Sequence, residues 1–176
     1  AVWEPSGERK AIMQISHGMI EYIKRYSHFA NYLNQAGILV IGNDHKGHGL
    51  TAEKDEDLGY FGEEKSAAVI EDLHEVTRYA KEQYGADVPY FLFGHSMGSL
   101  AVRAFAAEHD DCIDMLIICG SPSENKARPL GKAIACVEGR ILGAHHKSKL
   151  LEAMSLGAYA MKFRGEGNRN SWICSD

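Results

Sequence analysis

Residues 89–109 read PYFLFGHSMGSLAVRAFAAEH, and their order decides the fold. A strand-length apolar run, Tyr90, Phe91, Leu92 and Phe93, meets Gly94-His95-Ser96-Met97-Gly98; residues 100–107 are then apolar or small almost all round. The pattern predicts a strand, a tight turn and a buried helix. A turn this abrupt drives its central serine into a left-handed, strained conformation, so the residues two before and two after it must be tiny. Gly94 and Gly98 answer that need. The turn lifts the Ser96 hydroxyl above the sheet edge, facing the unpaired N–H groups and positive end of the next helix. A bare G-x-S-x-G also arises by chance as a glycine-rich turn without chemistry. The strand before it and the helix after it favour a nucleophile.

Toward the N-terminus, residues 10–16 (KAIMQIS) read as a buried strand ending in His17-Gly18-Met19, and residues 38–42 (ILVIG) as the next strand. Between them Tyr26, Phe29, Ala30, Leu33 and Ala36 recur at helical spacing over residues 25–36, and Gly37 stops the helix. Residues 1–9 predict the tail of a strand and a Pro/Ser/Gly turn. Residues 43–61 are glycine-rich, then acidic and aperiodic, which predicts a long loop of the kind that borders a site. Val69, Leu73, Val76 and Ala80 mark one face of a helix over residues 66–84, closed by Gly85. Beyond the serine turn, residues 115–119 (MLIIC) read as another buried strand.

Strands alternating with helices at this spacing imply right-handed crossovers and an α/β fold, a mainly parallel sheet with helices on both faces. Ligands bind such sheets beyond the carboxyl ends of the strands, where His17, Asp44 and Ser96 all fall. After Ser121-Pro122 the alternation stops. Leu130, Ile134, Val137 and Ile141 mark a helix over residues 130–143; Leu150, Met154, Ala158 and Met161 mark another over residues 147–163. The expected organisation is a partial core over residues 1–121 and a helical segment over residues 122–176. That segment reads as a lid whose Met and Leu side chains meet an apolar ligand, or more plainly as helices packed on the core. The last stretch, FRGEGNRNSWICSD, is polar.

A composition of 45% hydrophobic and 24% charged residues over 176 positions suits one globular domain with a small appendage. With a net charge of −5 and 19 Lys and Arg scattered along the chain, nucleic acid is not an expected partner. Cys112, Cys119, Cys136 and Cys174 show no C-x-x-C or ligand spacing and read as reduced thiols of a cytoplasmic protein. No run approaches ~18 unbroken apolar residues, so no integral membrane segment is expected. The N-terminus lacks the layout of a secretion signal, although a signal removed ahead of Ala1 stays open.

Three stretches taken together carry a resemblance: HGMIEYIKRY at 17–26, NDHKGHGLT at 43–51 and GHSMGS at 94–99. In order and spacing, over about residues 10–121, they resemble the monoacylglycerol lipase and lysophospholipase branch of the α/β-hydrolases, sometimes grouped with serine aminopeptidases. Lys46 stands where that branch usually has Arg. The resemblance implies a serine hydrolase acting on a small acyl ester or lipid, without metal or organic cofactor. Ser96 would attack the carbonyl, and the backbone N–H groups of Met97 and Met19 would form the oxyanion hole. His17, Gly18, Gly94, His95 and Gly98 would support the two turns. The branch also places an Asp and then a His after the lid, and no residue here matches either position. The chain is therefore expected to be the middle of a longer hydrolase, with little turnover alone.

Other readings stay beside these. His95 adjoins the serine and invites the role of base, but neighbours on a sharp turn point apart. His17 would shape the oxyanion turn rather than move a proton. Asp44, His45 and His48 suggest a metal site, yet their spacing matches no strong ligand pattern and bracing hydrogen bonds explain them as well. Glu21 and Arg25, four residues apart, read as an ordinary surface ion pair, or, by the resemblance, as a contact for a glycerol or phosphoglycerol head. His145-His146 reads as a solvated helix junction.

Overall fold

The computed structural model describes residues 1–63, 66–124 and 126–162; Cys174 and the polar stretch from residue 163 onward lie outside the described residues. The chain divides into two compact units, Ala1–Ser123 and Glu124–Asp176.

The first unit is built on a five-stranded sheet in the order β1-β3-β2-β4-β5. Its strands are β1 (Val2–Trp3), β2 (Ala11–Ser16), β3 (Ile38–Gly42), β4 (Tyr90–His95) and β5 (Met115–Cys119). Only β1 runs antiparallel. The crossovers carry α1 (Ser27–Gln35), α2 (Ser66–Tyr84) and α3 (Met97–Glu108). From β2 the chain passes to β3 on one side and then crosses to β4 on the other, so the sheet reverses direction between β2 and β4. At such a switch point the loops leaving the two carboxyl ends diverge and open a crevice.

Alternation along the strands decides which helix packs where. Met13 and Ile15 of β2 meet Ala30 of α1, while Ile12 meets Ala80 of α2 and Leu92 of β4 meets Val102 and Phe105 of α3. Complete burial of such a side chain stabilises by about 1.5–3 kcal/mol. Gln14 stands among them fully buried. Its amide donates to Leu73 O at 3.0 Å, and its Oε1 accepts from Thr77 Oγ1 at 2.6 Å and from Tyr90 OH at 2.5 Å. A polar group in that position is tolerated because its bonds are made.

Three expectations are corrected. The helix expected over residues 25–36 is split into a 3-10 turn, Ile23–Tyr26, and α1. The Asp44 carboxylate accepts the Ile23 N–H at 2.7 Å and so fixes the start of the turn, which runs directly into α1. The α3 helix is buried on one face only: Gly98, Ser99, Val102 and Phe105 are covered, whereas Leu100 and Arg103 face outward. The β5 strand is only partly covered in this chain: among the described residues it pairs with β4, and Met115 and Ile118 are about half exposed.

In the second unit the structure has α4 (Arg128–Leu142) and α5 (Lys149–Lys162). The apolar stripe of α4 is not buried, with Val137 at 55% and Ile141 at 75% exposure. His145 and His146 lie exposed between the two helices.

Candidate active site

The register places the ends of the central strands level, pairing Ser16 with Gly94 and His95 with Cys119. Ser96 follows at once, with φ 51° and ψ −114°, the left-handed backbone that the glycine spacing predicts. Its N–H donates to Cys119 O at 2.9 Å, which ties the turn to β5. The flanking glycines have a steric reason. A Cβ on Gly94 would stand 2.6 Å from Gly98 O, and one on Gly98 would run into Ser16 O and lie 2.5 Å from His17 O. Without side chains at both positions, β4 and α3 fold against each other and α3 settles on the end of β2. Its first amides, that of Met97 among them, have no intrahelical acceptor.

The turn after β2 comes to meet this bend. A Cβ on Gly18 would lie 3.2 Å from Ser96 Cβ and 2.6 Å from Glu21 Oε1, so the His17-Gly18 turn packs directly on the serine. Its peptide groups are held from both sides. His17 Nε2 accepts the His45 N–H at 2.9 Å, so the ring proton sits on Nδ1, which donates to Gly18 O at 2.7 Å. Gly18 C=O and Met19 N–H belong to one planar peptide, and fixing the first fixes the direction of the second. On the other side the Gly18 N–H donates to Glu21 Oε1. The Met19 side chain is exposed, and Ile20 is held at φ 60°, rare for a branched residue.

The glycine-rich loop braces that turn. The His45 ring lies 4.2 Å from that of His17 and its Nε2 is 3.0 Å from Ser16 Oγ. Burial pulls both imidazoles below the ordinary histidine range, His45 to about 3, so both are neutral near neutral pH. The Thr51 hydroxyl lies 2.6 Å from His45 O and 2.7 Å from His48 O and shares its one proton between them, while the Asp44 carboxylate accepts the Ile23 and Leu50 N–H groups. These are the bracing bonds, and among the described residues no three His, Cys, Asp or Glu side chains group as a metal set.

Glu21 corrects the surface-pair expectation, because its side chain is only 4% exposed. Its Oε1 accepts from Gly18 N–H, from Tyr26 OH at 2.9 Å and from His95 Nδ1 at 2.9 Å, while Oε2 takes Arg25 Nη1 at 3.0 Å. Burial raises its pKa, but the bonds from His95, Gly18 and Tyr26 outweigh that and hold it below the usual carboxylate range. His95 is therefore turned to Glu21, and its other ring nitrogen edges past Gly120. Among the described residues no hydrogen bond joins any histidine to Ser96 Oγ. The structure thus brings together Ser96, Met97, Met19, Gly18, His17, His95 and Glu21. Sequence reasoning missed Ser16, whose partner His45 lies on the loop after β3, the Tyr26 hydroxyl on Glu21, and the bridge from Glu21 to His95 at the end of β4.

Residues 7–174 match the family model described as serine aminopeptidase, S33. The chain is 29% identical over 143 residues to a monoacylglycerol lipase of Mycolicibacterium smegmatis, covering 80% of this chain and 49% of that protein. It is 35% identical over 106 residues to the monoglyceride lipase of Rattus norvegicus, covering 60% of this chain and 33% of that protein. It thus spans half or less of the length of these curated relatives. Among solved structures it superposes on a thermostable carboxyl esterase from Bacillus coagulans, in complex with glycerol, with a TM-score of 0.84 and 30% identity, over 98% of this chain and 55% of the other. For the Paleococcus ferrophilus monoacylglycerol lipase the TM-score is 0.61 at 25% identity, over 80% and 51%. The mainly parallel sheet, the serine turn at its switch point and these likenesses lead to one conclusion: the chain belongs to the serine aminopeptidase S33 family of α/β-hydrolases.

Proposed function

We propose that the natural protein carrying this chain hydrolyses carboxylic esters, monoacylglycerols or lysophospholipids, through an acyl-enzyme on Ser96. The observation that supports this most is the strained Ser96 backbone packed on Gly18, which brings two loops with amide donors to one hydroxyl. Ser96 Oγ attacks the ester carbonyl, and the negative oxygen is received by the Met97 and Met19 N–H groups, each contributing about 3 kcal/mol. The alcohol leaves with a proton, and water then hydrolyses the acyl-enzyme. His17, His45 and His95 are bonded elsewhere, so none of the three is assigned as the general base.

The names of the relatives support the substrate class, and the esterase solved with glycerol supports a polyol head. Of the pair Glu21 and Arg25, Arg25 is the accessible member, at 31% exposure, and would meet that head. The role of a lid is proposed for the helical segment over residues 122–176, in which Leu130, Val137 and Ile141 of α4 are exposed. Free Cys112, Cys119 and Cys136 suit a reducing cytoplasm. Among the described residues no helix is long and apolar enough to cross a membrane.

The description of the matching family favours a second reading, in which the same acyl-enzyme forms from an aminoacyl amide. A fluorophosphonate probe and a panel of monoacylglycerols, lysophospholipids and aminoacyl amides separate the possibilities. Stoichiometric labelling lost in Ser96→Ala, with esters turned over and amides not, is the expected result. Amide turnover alone would establish the peptidase, and an unlabelled protein would leave a non-catalytic scaffold.

A further inference from the structure

We infer that Glu21 is a positioning residue that locks the turn after β2 to the residue before Ser96, and so sets the gap between the two oxyanion amides. The inference rests on the acyl-enzyme reading above. The Met19 and Met97 amides leave different strands, and the β2–β4 register ends at the Ser16–Gly94 pair. Beyond that pair the β2–β4 ladder no longer fixes the spacing, and a carbonyl oxygen must find both donors at hydrogen-bond distance at once. A misplacement of about 1 Å in such a constellation costs on the order of 10²-fold in rate. Glu21 Oε1 joins the two, since it accepts Gly18 N–H on the turn after β2 and His95 Nδ1 at the end of β4, 74 positions apart from it in sequence.

The rest of its surroundings suits a fixed strut better than a ligand contact. Tyr26 OH holds Oε1 from α1's side and Arg25 holds Oε2, so both oxygens have protein donors. A buried charge is retained only where such partners compensate its lost hydration, and here they also keep it ionised. Gly18 has no side chain, and the space a Cβ would take there is filled by Glu21 Oε1, His95 Nδ1 and Ser96 Cβ. The carboxylate is thus a third wall between the turns.

The test compares Glu21→Ala, Glu21→Gln and His95→Ala in the full natural protein, on an ester and on the thionoester of the same acyl chain. Sulfur accepts N–H hydrogen bonds poorly, so a well-set pair of amides prefers the oxygen ester strongly. Glu21→Ala is expected to lower kcat on the ester by about 10²-fold, to leave KM within about 3-fold, and to shrink the ester-to-thionoester ratio. Glu21→Gln keeps Oε1 for Gly18 and His95, and is expected to recover kcat to within about 10-fold of the parent. His95→Ala cuts the bridge while sparing the bond to Gly18. It should show the same signature at smaller size, and it decides the matter alone if Glu21→Ala does not fold.

A rise in KM with kcat intact would overturn the inference in favour of a substrate contact. A loss of kcat with the ester-to-thionoester ratio unchanged would overturn it in favour of a general structural role. Fluorophosphonate labelling of Ser96 in the parent keeps the two levels apart: with labelling present, these outcomes sink only the positioning role, and an unlabelled parent sinks the acyl-enzyme reading with it.

Discussion

His17 Nε2 accepts the backbone N–H of His45 at 2.9 Å, a bond that exists only while the imidazole is neutral. Protonation would place a second N–H against the first and free the ring from the glycine-rich loop, while Nδ1–H would still donate to Gly18 O. The fold meets this requirement by burial, which lowers the pKa of His17 and of His45, the latter from 6.5 to about 3.

The sign of the resulting pH dependence follows from linkage. Above the unfolded value of 6.5 both rings are neutral in both states and add no slope. Below it the unfolded chain binds protons that the fold refuses, so stability falls as pH falls, by up to about 1.4 kcal/mol per unit for each ring. Urea unfolding at pH 7.5, 6.5, 5.8 and 5.2 should show this loss above the range where carboxylates titrate. His45→Gln, which keeps an amide for Ser16 Oγ, should show a shallower slope, and an unchanged slope would remove His45 as its source.

The glycines differ in what they allow. Gly98→Ala drives a Cβ into Ser16 O, and because the obstacle is backbone the loss should exceed about 3 kcal/mol. Gly139, inside α4, has nothing within 4 Å of its Cβ position, and Gly139→Ala should gain up to about 1 kcal/mol from helix propensity. Denaturant midpoints of the two variants should therefore move in opposite directions. A tolerated Gly98→Ala would mean that α3 does not rest on β2 as described.

These glycines show what was legible in the sequence. Strand, serine and helix adjoin along the chain, so the steric need at Gly94 and Gly98 is a local one that spacing reveals. The α2 helix was legible at both ends because Val69, Leu73, Val76 and Ala80 repeat on one face and Gly85 stops it. The burial of Glu21 was not legible, because two of its donors, Gly18 and His95, are brought together by the β2–β4 register. Seen alone, a Glu and an Arg at helical spacing look like a surface pair.

Gln14 passed as one polar letter in an apolar strand, and its bonds make a double-mutant test possible. Gln14→Leu strands the hydroxyl of Tyr90 in the core and should cost about 2–4 kcal/mol. Tyr90→Phe alone should cost about 1 kcal/mol. Together they remove both the acceptor and its donor, so the double variant should lose less than the sum of the two, by about 1 kcal/mol or more. Strict additivity would mean that the Tyr90–Gln14 bond carries no energy.

Position 19 separates a main-chain donor from a side-chain one. The Met19 side chain is about half exposed, and in the proposed mechanism only its N–H touches the oxyanion. Met19→Ala in the full natural protein should therefore leave kcat on a monoacylglycerol within about 3-fold of the parent. Met19→Pro deletes that N–H and should lower kcat by about 10²–10³-fold, the range for losing one oxyanion donor. Fluorophosphonate labelling should slow in parallel, because the phosphonyl oxygen uses the same pocket, while the far-ultraviolet circular dichroism should stay that of the parent. If Met19→Ala proved as damaging as Met19→Pro, the side chain would be the contributor. The peptide held by His17 would then lose its assigned part in the chemistry.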